Sequence, residues 1–287
     1  MEQANAQALE TSVVRVRGGV ATAARDRVAI ERPLQIRVRI GDDERALSTT
    51  MRTPGDDVAL AVGFLHAEGV LADAADLRGA APIDDDTVRV ELGPAAAAAL
   101  AASARTFVTS AACGVCGRAG LDGLESSGAN RLDAGARVTA AVIHDLPGAL
   151  RAAQATFHST GGLHAAALFS LDGALLAVHE DVGRHNAVDK LVGRLLLGGR
   201  LPLVTGVLML SGRASFELVQ KAEAAGIPIV AAVGAPSSLA IERAVAAGMT
   251  LLGFVRDGGF NVYCGAARIA GLTDGEAISR APDQPPA

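Results

Sequence analysis

The sequence predicts an α/β protein, a mixed sheet covered by helices, preceded by a smaller α+β lobe. Three observations predict it. The runs Val207-Leu208-Met209-Leu210 and Ile229-Val230-Ala231-Ala232-Val233 are continuously apolar, as in strands buried on both faces. From residue 184 to 255 helical and strand segments alternate. Near the start, Leu34, Ile36, Val38 and Ile40 alternate with Gln35, Arg37 and Arg39, the period of a half-buried strand.

In chain order, residues 1–25 are polar, Ala-rich and without period, and read as a tail. After the strand at 34–40, Gly41-Asp42 begins a turn, and Arg45 to Met51 forms a returning strand. Thr53-Pro54-Gly55-Asp56 reads as a helix start, with Thr53 as cap, Pro54 at the first helical position and Asp56 closing a capping box. Val58, Ala61, Val62 and Leu65 line one face of that helix, and Gly69 ends it. Thr87 to Leu92 alternates as a strand, and the Ala- and Leu-rich stretch from Pro94 to Ala104 is a good helix former. A Gly-rich stretch from Cys113 to Gly135 separates the smaller lobe, 26–135, from the larger, 136–270.

The larger lobe opens with a helix over 145–157, carrying Leu146, Leu150, Ala153 and Phe157 at helical spacing. His164 to Ser170 and Ala174 to His179 flank Asp172-Gly173 as a hairpin. Helix 184–197, strand 203–210, helix 214–225, strand 227–233, helix 237–247 and strand 250–255 follow, and 271–287 is a second tail, ending Pro-rich.

Composition excludes several functions. The 287 residues are 50% hydrophobic, enough for a large core, so wholesale disorder is ruled out. Lys and Arg number 26 against 31 Asp and Glu, a net charge of -5, and no basic surplus remains for a nucleic-acid backbone. Aromatics at 3% provide no base-stacking platform. Three cysteines do not make a disulfide scaffold and suit a reducing compartment. The first residues lack the apolar core of a signal peptide, and the longest apolar stretch, Leu195 to Leu210, is broken by Gly198, Gly199, Arg200 and Pro202. A soluble cytoplasmic protein that engages neither membrane nor nucleic acid is the expectation.

Six segments offer chemistry. Cys113-Gly114-Val115-Cys116-Gly117 places two thiols two residues apart in a pliable loop, able to oxidise together, share a metal or relay sulfur. A free thiol ionises near about pH 8.5, so a nucleophile there needs a cation such as Arg118 or a helix N-terminus. Structural zinc wants four ligands, and no second pair is present; Cys264, at a strand end, reads as packing. A thioredoxin-like site wants the motif to open a helix, and the remaining alternative is two small residues in a turn.

In Phe157-His158-Ser159-Thr160-Gly161-Gly162-Leu163-His164, His158 suits a helix C-terminus, and His164 either packs or faces a site. In His179 to Lys190, Asp181 reads as a cap, and Asp189 and Lys190 as a solvated face. Glu180, Arg184, His185 and Asn186 then make a polar wall. Ser211-Gly212-Arg213-Ala214-Ser215 and Ala235-Pro236-Ser237-Ser238 repeat the strand-to-helix theme. Ser is a default helix cap, but two such junctions plus Arg184 form an anion cradle for a phosphate-bearing ligand. Phe254-Val255-Arg256-Asp257-Gly258-Gly259 ends the last long strand, either as a hairpin turn or as a ligand edge.

Taken together, CGVCG at 113–117, STGGLHAAAL at 159–168, EDVGRHNAVDKLVG at 180–193, LSGRASFELVQKA at 210–222 and GAPSSLAIERA at 234–244 resemble the FdhD family. RTPGDDVALAVGFLHAEG at 52–69 and TLLGFVRDGGFNVY at 250–263 are similar to it as well, so the resemblance spans about 40 to 265. It implies a sulfur carrier, a sulfurtransferase accessory to formate dehydrogenase. Such a protein takes sulfur as a persulfide from a cysteine desulfurase and passes it to the molybdenum of a bis(molybdopterin guanine dinucleotide) cofactor. The resemblance further implies a cytidine-deaminase-like larger lobe, a homodimer, Cys113 as the persulfide cysteine with Cys116 its neighbour, and Phe254 to Gly259 as a cofactor-binding segment. Guanine nucleotides would occupy the cradle inferred from Ser211, Arg213 and Ser237. Deamination is not implied, because H-x-E with a P-C-x-x-C partner is absent. A non-catalytic cofactor carrier, in which the cysteines are dispensable, is the alternative.

Overall fold

In the computed structural model, which describes residues 7–103, 132 and 135–272, the chain opens with a two-stranded antiparallel ribbon. Its strands are β1 (Ala8–Arg17) and β2 (Val20–Ala29), paired from Ala8–Ala29 to Arg17–Val20. The tail expected over 1–25 is thus corrected for residues 8–25. Gly18 and Gly19 both adopt positive φ, the requirement of a two-residue hairpin turn whose twist matches its strands. Val14 and Val16 alternate with Arg15 and Arg17 on one side of that turn. Neither face of the ribbon is buried, which is why composition alone reads it as a tail.

A four-stranded sheet follows, built from β3 (Arg32–Ile40), β4 (Asp43–Arg52), β5 (Leu77–Asp84) and β6 (Thr87–Leu92) in the order β4-β3-β6-β5. The alternation at 34–38 does what it predicts, burying Leu34, Ile36 and Val38 together with Val88, Val90 and Leu92. Two helices, α1 (Asp57–Ala67) and α2 (Pro94–Ser103), cover this core with Leu60, Leu65, Ala96 and Leu100. The capping box expected at Thr53 does not form. Asp56 is the N-cap, in left-handed conformation and without a side-chain cap bond, whereas Thr53 is fully buried and bonded to the larger lobe.

The larger lobe begins with β7 (Val138–Thr139), α3 (Ala140–Ala153) and α4 (Ala155–Thr160). Thr139 caps α3 by accepting from the Val142 N–H at 3.2 Å, so the helix starts five residues before the apolar spacing does. Next come β8 (His164–Ser170), β9 (Leu175–Asp181), α5 (Arg184–Leu197), β10 (Gly206–Leu210), α6 (Phe216–Ala224), β11 (Ile229–Ala232), α7 (Ser238–Ala246), β12 (Thr250–Arg256), β13 (Gly259–Cys264) and β14 (Ile269–Ala270). Six of these strands form one sheet in the order β13-β12-β11-β10-β8-β9. β10, β11 and β12 run parallel, and β8, β9 and β13 join antiparallel, which makes the sheet mixed.

Successive strand residues point to opposite faces. Leu208, Leu210, Val230, Ala232 and Leu251 therefore pack under α5, α6 and α7, while Val207, Met209, Ile229, Ala231 and Leu252 pack under Ile143, Leu146 and Leu150 of α3. Cys264 is buried in the first of these cores, the packing role expected of it. The two lobes share a helical layer in which α1 lies across α5.

Candidate functional site

Strand directions gather the sequence-selected residues at one end of the large sheet. The registers Leu210–Ala232 and Ala231–Leu252 align the carboxyl ends of the three parallel strands. β8 begins at the same end, because Ala166 pairs with Leu210, and β9 finishes there, because Asp181 pairs with His164. The loops leaving the strands are laced to one another. The Gly234 N–H donates to the Gly212 carbonyl (2.9 Å), the Ser237 N–H to that of Ala214 (3.0 Å), and the Phe254 N–H to that of Gly234 (3.1 Å). Helices α5, α6 and α7 all start from this edge, with their N-terminal amides toward it.

His164, Arg184 and His185 meet where β8 begins and β9 and β10 end. The His164 ring lies against Gly212, where an added Cβ would stand 3.3 Å from ring atoms. Burial holds His164 below the ordinary imidazole range, and the Arg184 guanidinium pushes the same way. His185 is lowered further, to about 3, by burial first and then by Lys221, Arg184 and His164, so its ring is neutral at physiological pH. Its Nε2 lies 3.1 Å from Glu217 Oε2 and 3.3 Å from Ser215 Oγ. Burial raises the Glu217 carboxyl against the opposing pull of Lys221 and Arg184. Arg184 Nε is buried and has no hydrogen-bond partner among the described residues. A guanidinium N–H left without an acceptor is costly unless a ligand supplies one.

Other predicted residues sit at this edge in different roles. The Ser211 hydroxyl accepts from the Ala165 N–H at 2.8 Å and so closes the sheet end. Ser237 caps α7 by accepting from the Ala240 N–H at 3.3 Å, the default role of a serine there. Arg213 is exposed, its side chain running over Gly234. Phe254 to Gly259 spans the turn between β12 and β13. Phe254 and Asp257 adopt positive φ, and the Arg256 guanidinium lies 5.6 Å from the centre of the exposed Phe254 ring. Asp257, Gly258 and Gly259 are exposed, whereas the Val255 side chain is fully buried in the α3-side core, so it packs and presents nothing to a ligand. Cys113 and Cys116 lie outside the described residues.

The polar wall expected at 180–186 divides. The Glu180 carboxylate accepts from the Thr156 and Phe157 N–H groups (2.9 and 2.8 Å) and caps α4, leaving Arg184 and His185 at the edge. Asn186 is buried, donating to the Met51 carbonyl at 2.7 Å and to Asp181 at 3.0 Å. Asp189 and Lys190, expected on a solvated face, are 3% and 1% exposed.

The interior network around them is absent from the sequence reading. Asp181 is fully buried and accepts from Thr53 N–H (3.1 Å), Gly183 N–H (2.8 Å), Asn186 Nδ2 (3.0 Å) and Lys190 Nζ (2.7 Å). Lys190 Nζ also donates to the Thr53 carbonyl at 2.7 Å, tying the small lobe to α5, the helix that begins at Arg184. Asp189 pairs with Lys221 at 2.7 Å, and burial raises its carboxyl against that pairing. The signal lay in the pattern of α5, where Asp189-Lys190 interrupts positions flanked by Ala187, Val188, Leu191 and Val192.

Chemically, the edge offers three helix N-termini, a guanidinium donor with no acceptor among the described residues, two exposed arginines and neutral imidazoles. That set suits an anionic, phosphate-bearing ligand, held by charge-assisted and amide hydrogen bonds.

Comparison with known proteins accords with this architecture. The model of the FdhD/NarQ family matches residues 29–270. The sulfur carrier protein FdhD of Streptomyces coelicolor is 48% identical over 269 residues, covering 90% of this chain and 94% of the relative. That of Sulfolobus acidocaldarius is 43% identical over 263 residues, covering 92% and 99%. Among solved structures, a candidate formate dehydrogenase accessory protein from Desulfotalea psychrophila matches with a TM-score of 0.72 at 26% identity, over 92% of this chain and 100% of that one.

Proposed function

The chain belongs to the FdhD/NarQ family, and from that premise we propose that it is a sulfur carrier serving formate dehydrogenase. Cys113 is the carrier. Its thiolate attacks the outer sulfur of a persulfide on a cysteine desulfurase, the donor's S–S bond breaks, and the donor cysteine leaves as a thiolate. Cys113 then holds the persulfide, with Cys116 as its neighbouring thiol. The acceptor is the molybdenum of a bis(molybdopterin guanine dinucleotide), a substrate rather than a resident group. A reducing cytoplasm keeps such thiols available, and no helix among the described residues is long and apolar enough to cross a membrane.

The observation that carries the reading is Arg184 Nε, buried and without an acceptor among the described residues at the edge where α5, α6 and α7 begin. The guanine-dinucleotide phosphates supply the missing acceptors. Arg213 and the Phe254–Arg256 pair stand on the outer rim, where the nucleotide ends extend. Cys113→Ala tests the reading: the variant leaves formate dehydrogenase inactive in cells while retaining cofactor binding. Full client activity from the variant contradicts sulfur transfer and leaves a binding-only carrier.

A further inference from the structure

Thr53 bonds across the lobe boundary with three of its groups. It is fully buried just beyond β4 of the small sheet. Its N–H donates to Asp181 Oδ2 at 3.1 Å, its carbonyl accepts from Lys190 Nζ at 2.7 Å, and its Oγ1 accepts from the Val182 N–H at 3.1 Å. All three meet the junction at which β9 passes into α5. That junction is short. Val182 and Gly183 alone separate β9 from Arg184, and Gly183, the N-cap of α5, has no side chain with which to cap it. A glycine leaves the turn conformationally free, so its placement depends on bonds from outside. The Val182 N–H goes to Thr53, and the Gly183 N–H goes to Asp181 Oδ1 at 2.8 Å. Asn186 Nδ2 then closes the first turn of α5 onto the same Asp181 oxygen at 3.0 Å and onto the Met51 carbonyl at 2.7 Å. A Cβ on Gly183 would stand 3.0 Å from that Nδ2, so the turn has little room to relax.

Arg184, the next residue, is the one whose buried Nε lacks an acceptor among the described residues. A guanidinium on a long side chain meets a phosphate oxygen squarely only where the backbone that carries it is fixed, and binding groups are held to about 0.5 Å by the shell behind them. We propose that Thr53 is a positioning residue of the ligand edge: acting with Asp181 and Asn186, it fixes the first turn of α5 and so aims the Arg184 guanidinium at the phosphate of a bound nucleotide. A residue of the small lobe thereby sets affinity at an edge built by the larger one. This role rests on the phosphate reading of that edge, and the two fail in different ways.

Guanosine diphosphate titrated calorimetrically into the full chain, well below the melting temperature of each variant, reads the role. Thr53→Val keeps the shape and loses the acceptor of the Val182 N–H. It is expected to weaken binding about tenfold, the scale of one buried hydrogen bond left unmade. Thr53→Ser keeps the acceptor and with it the wild-type affinity. In an Arg184→Gln background Thr53→Val is expected to cost no further affinity, because it acts through that guanidinium. A residue that merely joined the lobes would lower the melting temperature and leave the affinity of the folded chain untouched. Asn186→Ala, at the other end of the clasp, is expected to show the same loss and the same dependence on Arg184, and decides the matter if Thr53→Val does not fold. Wild-type affinity in these variants, or a loss that persists undiminished beside Arg184→Gln, overturns the positioning role and leaves the phosphate cradle standing. Binding that ignores Arg184→Gln overturns the cradle and the role together.

Discussion

Gly63 of α1 and Gly193 of α5 face each other with no room for a methyl group on either. A Cβ on Gly63 would stand 1.9 Å from the Asp189 carbonyl oxygen, and one on Gly193 would stand 1.9 Å from that of Ala59. Both obstacles are backbone, so neither side of the crossing yields cheaply. Gly63→Ala or Gly193→Ala is expected to cost about 3 kcal/mol or more, the upper end of overpacking penalties. Urea unfolding followed by circular dichroism reads the loss; a variant within experimental error of wild type contradicts the close approach.

The Lys190–Asp181 pair makes a second stability prediction. Lys190→Met leaves a buried carboxylate, a change that costs about 3–5 kcal/mol when a buried pair is broken. The low end is expected, because three N–H donors to Asp181 remain. Adding Asp181→Asn removes the stranded charge and recovers part of the loss. Chemical denaturation of the two variants checks the order: a double variant less stable than Lys190→Met alone contradicts it.

His185 sets a pH dependence. In the folded chain its ring stays neutral down to about pH 3, whereas in the unfolded chain it takes up a proton near about pH 6.5. Between those values the unfolded state binds the extra proton, so stability falls as pH is lowered. The contribution is fully present above the unfolded value. The slope from this one group is at most about 1.36 kcal/mol per pH unit. Glu217, raised by burial, works in the opposite direction, its share being lost as pH rises through its folded value. His185→Gln is expected to flatten the acid side of the stability curve, as thermal melts from pH 7 to 4 will show; an unchanged slope contradicts the assignment.

Arg184 and Ser237 are separable by function. Guanosine diphosphate serves as the probe for the phosphate cradle, read by isothermal titration calorimetry. Arg184→Gln removes charge-assisted bonds of about 1.5–3 kcal/mol, so affinity falls at least tenfold. Ser237→Ala loses a helix cap worth about 1 kcal/mol of stability and leaves affinity unchanged. Equal effects of the two substitutions on binding would contradict the division of labour at this edge.

Wherever hydrophobic period and turn chemistry act alone, the sequence was legible. The β3 alternation, the β8–β9 hairpin and the alternating strands and helices from α5 to β12 all follow from them. The collection of His164, Arg184, His185, Ser211, Arg213 and Ser237 at one edge was legible as well, because parallel strands place their carboxyl ends together. Tertiary partners were not. Thr53 looked like a cap because a cap and a lobe-to-lobe bond call for the same hydroxyl, and only the fold brings Asp181 and Val182 to it. Lys190 looked solvated because its charge was weighed above its apolar flanks, Val188 and Leu191, and only the fold brings Asp181 to it. The β1–β2 ribbon was missed for the opposite reason: with neither face buried, it has no core-facing period beyond its Val/Arg alternation and Gly18-Gly19 turn.

Intact-mass measurement of the full chain, after incubation with a cysteine desulfurase and cysteine, tests the central claim most directly. The account predicts a gain of one sulfur atom that maps to Cys113, is removed by reductant and is absent from Cys113→Ala. A chain that gains no sulfur, or gains it equally without Cys113, contradicts the account.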